Sequence, residues 1–264
     1  MKPTEALIFD VDGTLADTEE VHRQAFNAAF RSFELEWNWD PALYGRLLRV
    51  TGGKERLAHY IDSLPVSVAE RGKLRLLVPE LHAAKTRCYR ELIWLGQVHP
   101  RAGVRRLMME AREAGVLLGI ASTTSPQNIA PLIRAGFGAG ALTWFATIAT
   151  GDVVRHKKPA PDIYNVALAA LGVSPARAIA IEDSAVGVHS ATRAGLFTVA
   201  IPNVWTRGQD FSSADLVLGS LGEPDQPLDA ADERRLGEKY LSIGHLAALH
   251  AATQSKRRVH GRFL

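Results

Sequence analysis

Four short apolar runs, separated by long helical patterns, limit the possible folds of this chain more than any other feature. They occupy residues 6–9, 116–121, 178–181 and 197–201. Short apolar runs without polar alternation are typical of strands buried on both faces. Helical patterns fill residues 104–114, 127–135 and 161–171. Strands that alternate with helices predict right-handed βαβ units, so we expect an α/β fold with a parallel, Rossmann-like sheet.

A long helical stretch separates the first two apolar runs. Helical patterns cover residues 18–33, 41–48, 54–61, 66–78 and 81–94, which is too much chain for a single crossover. Pro100 and Gly103 mark the return to the core pattern. We therefore expect a core from residues 1–15 and 99–221 with an inserted all-helical cap from residues 16–98. Residues 222–264 are expected to form a linker, a short helix at 241–249 and a basic tail.

Composition narrows the functional class. The 264 residues are 47% hydrophobic and 22% charged with a formal net charge of +3, as in ordinary globular proteins. Much of the excess positive charge lies in residues 256–262 and not in a patch interleaved with aromatic residues, which does not favour a nucleic-acid partner. No run approaches the roughly 18 apolar residues of a membrane span, and the single Cys88 rules out an internal disulfide. We expect a cytoplasmic, monomeric protein.

Two acids follow directly on the first apolar run, in the segment Asp10-Val11-Asp12-Gly13-Thr14-Leu15. Residues i and i+2 at a strand end point the same way, so the carboxylates of Asp10 and Asp12 converge at the carboxyl end of a parallel strand. Crowded carboxylates repel, which favours a bound cation or a retained proton. The alternative interpretation is a simple acidic turn.

A second pair of acids, Glu182 and Asp183, ends the third apolar run. The carboxylates of Asp10 and Asp183, with the backbone carbonyl of Asp12, would form a cage of hard oxygen ligands that suits Mg²⁺. Glu182 is either a support for that cage or a surface acid.

Hydroxyl and cationic side chains mark two more segments. Ser122, Thr123 and Thr124 follow the second apolar run, where hydroxyls and N–H groups at a helix start bind phosphate, or where they simply cap the helix. Lys157 and Lys158 precede a proline-stiffened helix start and offer cations, although a lysine pair is more often a solvated surface.

These four segments, in this chain order, resemble the motif series of the haloacid dehalogenase superfamily from residue 6 to about residue 221. The resemblance implies that Asp10 is the nucleophile and Asp12 the general acid/base. It also implies that Ser122 and Lys158 hold the transferring phosphoryl group, and that Asp183 is the second metal carboxylate beside Mg²⁺.

The helical insertion is similar to the cap of the CbbY-type phosphatases. The similarity rests on residues 39–40, 44, 47–48, 51–56 and 82–86, and on residues 122–128 of the core. From the residues alone, the cap charges favour a solvated helix face over a substrate site. The resemblance implies substrate contacts from Glu19, Gly52, Gly53, Lys54, Glu55, Arg56, His82 and Lys85 in the cap, and from Ser122, Thr123, Thr124 and Asn128 in the core.

The activity implied by this resemblance is removal of the C1 phosphate of xylulose-1,5-bisphosphate, a by-product that inhibits the carbon-fixing carboxylase. Two alternatives share the core motifs: a phosphomutase related to β-phosphoglucomutase, and a phosphatase for another small ester such as phosphoglycolate. A dehalogenase would need no metal cage and is disfavoured by Asp12 and Asp183. A non-enzymatic module is disfavoured because the series of chemical residues is intact.

Overall fold

The structure is a computed structural model that describes residues 4–96 and 98–260. Small parts of the predicted core, cap and basic tail therefore lie outside the described residues, namely positions 1–3, 97 and 261–264.

The described residues form one parallel sheet. Its strands are β1 (Ala6–Phe9), β2 (Leu117–Ala121), β3 (Phe145–Ala149), β4 (Ala178–Glu182), β5 (Phe197–Ala200) and β6 (Leu216–Val217). They pair in the order β3-β2-β1-β4-β5-β6, all parallel. This confirms the predicted α/β fold and places β1 at the centre of the sheet, between β2 and β4.

Five helices follow β1: α1 (Glu19–Ser32), α2 (Pro41–Leu47), α3 (Gly53–Ser63), α4 (Val68–Leu76) and α5 (Val78–Trp94). Every residue from Thr18 to Trp94 is described, and none of them belongs to a strand, as the sequence predicts. Phe26, Phe30 and Trp39 pack with ring centroids 4.6 to 6.1 Å apart and are almost fully buried. The cap therefore has a hydrophobic core of its own.

The sheet is covered on both faces by helices α6 (Val104–Glu113), α7 (Pro126–Phe137), α8 (Asp162–Leu171) and α9 (Ala185–Arg193). Alternate residues of β1 serve the two faces, because side chains alternate along a strand. Leu7 and Phe9 join the hydrophobic cluster that includes α6 and α7, whereas Ala6 and Ile8 join the cluster of α8 and α9. This explains why the strand reads as a continuous apolar run.

Two strands and the C-terminal end differ from the prediction. β3 and β6 were not predicted, because β3 is an edge strand with exposed positions and β6 has two residues. Residues 222–260 hold two helices, α10 (Ala230–Leu236) and α11 (Ile243–His260), so the predicted short helix is much too short. Leu241 and Leu246 are fully buried in the main hydrophobic cluster, so this segment packs on the core.

The chain crosses between core and cap at two adjacent points. Ala16 forms an antiparallel bridge with Pro100, and the Asp17 amide donates to the carbonyl of His99 at 3.3 Å. The amide of Arg101 donates to the Leu15 carbonyl at 3.0 Å. The two connections place the cap over the carboxyl end of β1. In the part of the chain that is described, no helix combines the length and apolar character that a membrane span needs.

Candidate active site

Three acidic side chains meet at the carboxyl ends of the two central strands. Asp10 follows β1, Glu182 is the last residue of the neighbouring β4, and Asp183 follows it. One carboxylate oxygen from each lies within 4.8 Å of the others, and all three residues are buried. The sequence predicted that Asp10 and Asp183 would meet here, because adjacent parallel strands end at the same edge.

Lys158 is the cation that faces these acids. Its Nζ donates to Asp10 Oδ1 and to Glu182 Oε1, both at 2.6 Å, from the loop before α8. Burial opposes its charge, but the two carboxylates outweigh burial and raise the pKa of Lys158 above its ordinary value. Tyr164 of α8 donates to the same Glu182 oxygen at 2.6 Å. Lys158 is therefore a fixed, permanently charged partner of Asp10.

The charge of the cluster is not balanced by Lys158. Burial, with Glu182 and Asp12 as further causes, raises the pKa of Asp10 to about 7 although Lys158 acts in the opposite direction. Burial, then Asp10 and Glu182, raises the pKa of Asp183 well above its ordinary value. Buried carboxylates with raised pKa values are stabilised by a further positive charge.

The donor set fits a divalent cation. It consists of hard carboxylate oxygens, which Mg²⁺ prefers. Glu182 Oε2 is buried and has no hydrogen-bond partner among the described residues, and a buried unpaired charged oxygen is costly. The close approach of Gly187 fixes this carboxylate, since a Cβ on Gly187 would lie 1.9 Å from that same oxygen. These residues therefore form a candidate metal centre.

Hydroxyl groups line the site after β2. Ser122 is buried, its amide donates to the Ala149 carbonyl at 3.0 Å, and its Oγ accepts from the Thr124 amide at 3.3 Å. Asn128, in the first turn of α7, is also buried and its Oδ1 has no partner among the described residues. Because α7 begins at Pro126, the segment places hydroxyls beside a helix start, an arrangement that suits an anion.

Asp12 is bound by residues of the cap side. Thr18 Oγ1 donates to Asp12 Oδ1 at 2.8 Å, and His22 Nε2 lies 2.9 Å from the same oxygen. Despite burial, His22 and Thr18 hold the pKa of Asp12 below its usual range. The other His22 nitrogen lies 2.6 Å from Lys85 Nζ, and the His22 ring stacks on Tyr89 at 4.0 Å. His22 was not predicted from the sequence, although it lies one helical turn after Glu19.

A second group of cap residues forms a hydrogen-bonded chain at the cavity. Tyr44 donates to Glu19 Oε2 at 2.6 Å and accepts from Arg56 Nη1 at 3.1 Å. Lys85 is buried, and burial lowers its pKa to about 8 although Asp12 acts in the opposite direction. Burial and then Lys85 lower the pKa of His82 to about 4. The cap therefore presents two cations, Arg56 and Lys85, and a neutral imidazole.

One cavity brings together most of the predicted site residues. Its wall contains fourteen of them: Asp10, Asp12, Glu19, Gly52, Gly53, Arg56, His82, Lys85, Ser122, Thr123, Thr124, Asn128, Lys158 and Asp183. Lys54, Glu55 and Glu182 are not part of this wall. Lys54 is exposed, and Glu55 pairs with Lys157 of the core at 2.6 Å.

The cavity wall also contains residues that the sequence analysis did not predict. Besides His22 they are Leu48, Thr51, Ser125, Ser184, Val186, Thr206 and Gln209. Ser125 and Ser184 directly adjoin predicted positions, so proximity alone could have indicated them. Thr206 and Gln209 lie in a loop after β5 that carries no acidic or glycine-rich motif.

Comparison with known proteins identifies the family of this site. The sequence model of the haloacid dehalogenase-like hydrolases matches residues 4–195. The chain belongs to the haloacid dehalogenase-like hydrolase family. This confirms the resemblance inferred from the motif series and makes the protein an enzyme of hydrolase type.

The CbbY proteins are relatives of this hydrolase over most of its length. The plasmid-encoded CbbY of Cupriavidus necator is 46% identical over 85% of this chain and 88% of its own. CbbY of Rhodobacter capsulatus is 50% identical over 80% of this chain and 90% of its own.

Solved structures agree with these sequence relatives. CbbY from Rhodobacter sphaeroides in complex with phosphate superposes with a TM-score of 0.76 at 43% identity, covering 82% of this chain and 94% of that one. An Asp-to-Asn variant of the same protein, in complex with xylulose-1,5-bisphosphate, has a TM-score of 0.76 at 42% identity and the same coverage. A β-phosphoglucomutase from Clostridium difficile, at 22% identity and a TM-score of 0.64, shares the fold.

Proposed function

We propose that this hydrolase is a Mg²⁺-dependent phosphatase that removes the C1 phosphate of xylulose-1,5-bisphosphate through an aspartyl-phosphate on Asp10. The observation that carries the proposal is the position of Asp10, buried beside Lys158, under a cavity whose cap wall contributes Arg56 and Lys85. Its CbbY relatives support the choice of substrate, because one of them is known in complex with this bisphosphate.

The metal would be held by the carboxylates of Asp10 and Asp183 and the backbone carbonyl of Asp12. Mg²⁺ bound there would offset the negative charge of the phosphoryl oxygens and of the acids around them. Glu182 would support this centre by holding Lys158 through its Oε1 atom. We keep the sequence-based assignment of Glu182 as a neighbour of the metal ligands. In the alternative assignment, its unpaired Oε2 contacts the ion directly.

The chain's own groups supply the steps of the reaction. A carboxylate oxygen of Asp10 attacks phosphorus, and the bond between phosphorus and the C1 oxygen breaks. Lys158 and the Ser122 hydroxyl hold the phosphoryl oxygens while charge develops on them. Asp12 protonates the leaving oxygen, then accepts a proton from the water that releases phosphate from Asp10.

Because its pKa is low, Asp12 must gain a proton before it can protonate the leaving oxygen in the first step. His22 and Thr18 lower the pKa of Asp12 and so keep it ionised, which leaves it without a proton to donate until substrate binds. A phosphate dianion beside Asp12 raises its pKa by like-charge repulsion. Substrate binding therefore favours uptake of the proton that Asp12 gives to the leaving oxygen.

Recognition of the distal phosphate is assigned to the cap. Arg56 and Lys85 line the cavity from α3 and α5 of the cap, and Asp10 lines it from the core. Glu19 and His82 lie beside them and are available to sugar hydroxyls. In a cell, we place this activity in the cytoplasm, where it would remove an inhibitor of the carbon-fixing carboxylase.

The test is a phosphate-release screen with purified protein and Mg²⁺. The substrates are xylulose-1,5-bisphosphate, ribulose-1,5-bisphosphate, β-glucose-1-phosphate and phosphoglycolate, and Asp10→Asn is the inactive control. We expect the highest kcat/KM for xylulose-1,5-bisphosphate and none for the variant. Preference for a monophosphate would refute the substrate, and an isomerised sugar phosphate in place of inorganic phosphate would identify a mutase.

A further inference from the structure

The loop that follows β5 reaches both the acidic cluster and the cap. It lies beyond residues 4–195, which the family comparison matches, and the sequence carries no motif there. Asn203 Nδ2 donates to Asp183 Oδ2 at 2.7 Å and to the Gly13 carbonyl at 3.4 Å. The side-chain amide of Asn203 thus orients Asp183, one of the carboxylates assigned to the metal.

The contact between Asn203 and Asp183 is enclosed by Gly13. This glycine has a φ of 83°, and a Cβ at its position would lie 2.4 Å from Asp183 Oδ2 and 2.6 Å from Asn203 Nδ2. A side chain on Gly13 would therefore displace the amide from the carboxylate. The motif glycine and Asn203 together fix the orientation of Asp183.

A tight turn fixes Asn203 itself. Its carbonyl accepts from the amides of Thr206 at 3.1 Å and Arg207 at 2.9 Å, and its own amide donates to Thr206 Oγ1 at 3.0 Å. Its side-chain Oδ1 accepts from the amide of Trp205 at 2.8 Å. Since three of these four bonds do not involve the Asn203 side chain, the turn has support that survives its removal.

The same turn directs Trp205 of the core towards the cap. Its ring meets Tyr44 edge-on, with centroids 5.5 Å apart, and a Cβ on Gly45 would lie 3.8 Å from it. Tyr44 in turn holds Glu19 and Arg56, which line the cavity. Trp205 therefore supports, from the core side, the cap residues that face the substrate.

We propose that Asn203 and Trp205 are positioning residues for the two halves of the site. Asn203 orients Asp183 for the metal, and Trp205 seats the cap so that Arg56 and Glu19 face the substrate. The assignment rests on the proposed function, because it presumes a metal at Asp183 and a substrate that reaches the cap. Neither residue touches the reacting atoms.

The first test measures Mg²⁺ binding to metal-free protein by calorimetric titration, without substrate. Asn203→Ala should weaken Mg²⁺ binding about 10-fold or more, since partners that orient metal ligands usually have effects of 10–100-fold. Val204→Ala is the matched control, because Val204 lies in the same turn and is 72% exposed. Equal Mg²⁺ affinity in Asn203→Ala and wild type would overturn the role of Asn203, as would a wild type that binds no Mg²⁺.

The second test measures steady-state kinetics with the sugar phosphate that the wild type hydrolyses best. Trp205→Ala should raise KM about 5-fold or more, while Mg²⁺ affinity and turnover of p-nitrophenyl phosphate stay near wild type. Trp205→Phe should retain most of the wild-type KM, because it keeps an aromatic ring against Tyr44. If Trp205→Ala does not fold, Trp205→Leu replaces it. An unchanged KM, or equal losses on both substrates, would overturn the role of Trp205.

The two experiments test the roles of Asn203 and Trp205 independently of the proposed substrate. A wild type that prefers another sugar phosphate refutes xylulose-1,5-bisphosphate as the substrate. The Mg²⁺ titration and the KM comparison keep their meaning in that case, because neither depends on which sugar is used.

Discussion

The proposed recognition of a distal phosphate can be tested by comparing substitutions of Arg56 and Lys54. The family resemblance implies the same role for the two cations, but the structure separates them. Arg56 is half-buried in the cavity wall, whereas Lys54 is exposed and outside that wall. We expect Arg56→Ala to impair hydrolysis of the bisphosphate and Lys54→Ala to leave it nearly unchanged.

The expected magnitude follows from the surroundings of Arg56. Its Nη1 donates to the Tyr44 hydroxyl at 3.1 Å, and its guanidinium lies 5.3 Å from the Tyr44 ring centroid. Its Nε is buried without a partner among the described residues. Loss of a charge-assisted contact in such a site costs about 2–5 kcal/mol. The lower value corresponds to a loss of about 30-fold in kcat/KM.

The assay compares kcat/KM for xylulose-1,5-bisphosphate and p-nitrophenyl phosphate in wild type, Arg56→Ala, Arg56→Lys and Lys54→Ala. Arg56→Ala should lose at least about 30-fold on the bisphosphate and much less on p-nitrophenyl phosphate, which has no distal phosphate. Lys54→Ala should lose less than about 5-fold, as expected for a screened surface charge. Arg56→Lys should fall between, because lysine keeps the charge but not the planar fork.

Two results would refute this reasoning. Equal losses on both substrates in Arg56→Ala would show that Arg56 supports folding or cap closure instead of recognition. A loss in Lys54→Ala as large as that in Arg56→Ala would show that exposure in this structure does not separate the two cations in the substrate complex.

The site makes three further predictions. Because burial lowers the pKa of Lys85 to about 8, this cation loses its proton as pH rises through 8. We therefore expect kcat/KM for the bisphosphate to fall between about pH 7 and 9 more steeply in wild type than in Lys85→Met, measured as a pH profile. EDTA should abolish phosphate release and Mg²⁺ should restore it, and activity that survives metal removal would contradict the metal centre. Gly187→Ala should lower Tm, with a cost of roughly 1–3 kcal/mol for overpacking, because the added Cβ would lie 1.9 Å from the Glu182 carboxylate. Gly140→Ala, which meets nothing within 4 Å, is its control, and equal Tm values for the two variants would be the contrary result.

The sheet and the acidic cluster were predictable because their causes are local. An apolar run ending in acids marks both β1 and β4, and adjacency of parallel strands brings Asp10 and Asp183 together. β3 was missed because Thr147 interrupts its short apolar run. The length of α11 was missed because its burial depends on packing against the core, as shown by Leu246.

The cap wall shows where sequence reasoning reaches its limit. Residues 54, 55 and 56 are consecutive in α3 and therefore point in different directions. Lys54 is exposed, Glu55 pairs with Lys157, and only Arg56 of the three lines the cavity. His22 was not predicted as a site residue because a histidine in an amphipathic helix is common. Asn203 was not predicted because its role depends on contact with Asp183, which lies 20 residues earlier in the chain.

The paired crossing at Ala16 and Pro100 has a consequence for how such enzymes diversify. Because the helical insertion leaves and rejoins the core at neighbouring points, its length and sequence are not constrained by the spacing of the strands. Evolution can exchange the insertion as a unit while Asp10 and Asp183 keep their register on β1 and β4. New substrates are then acquired by changing one segment of the gene, with the phosphoryl-transfer chemistry inherited intact.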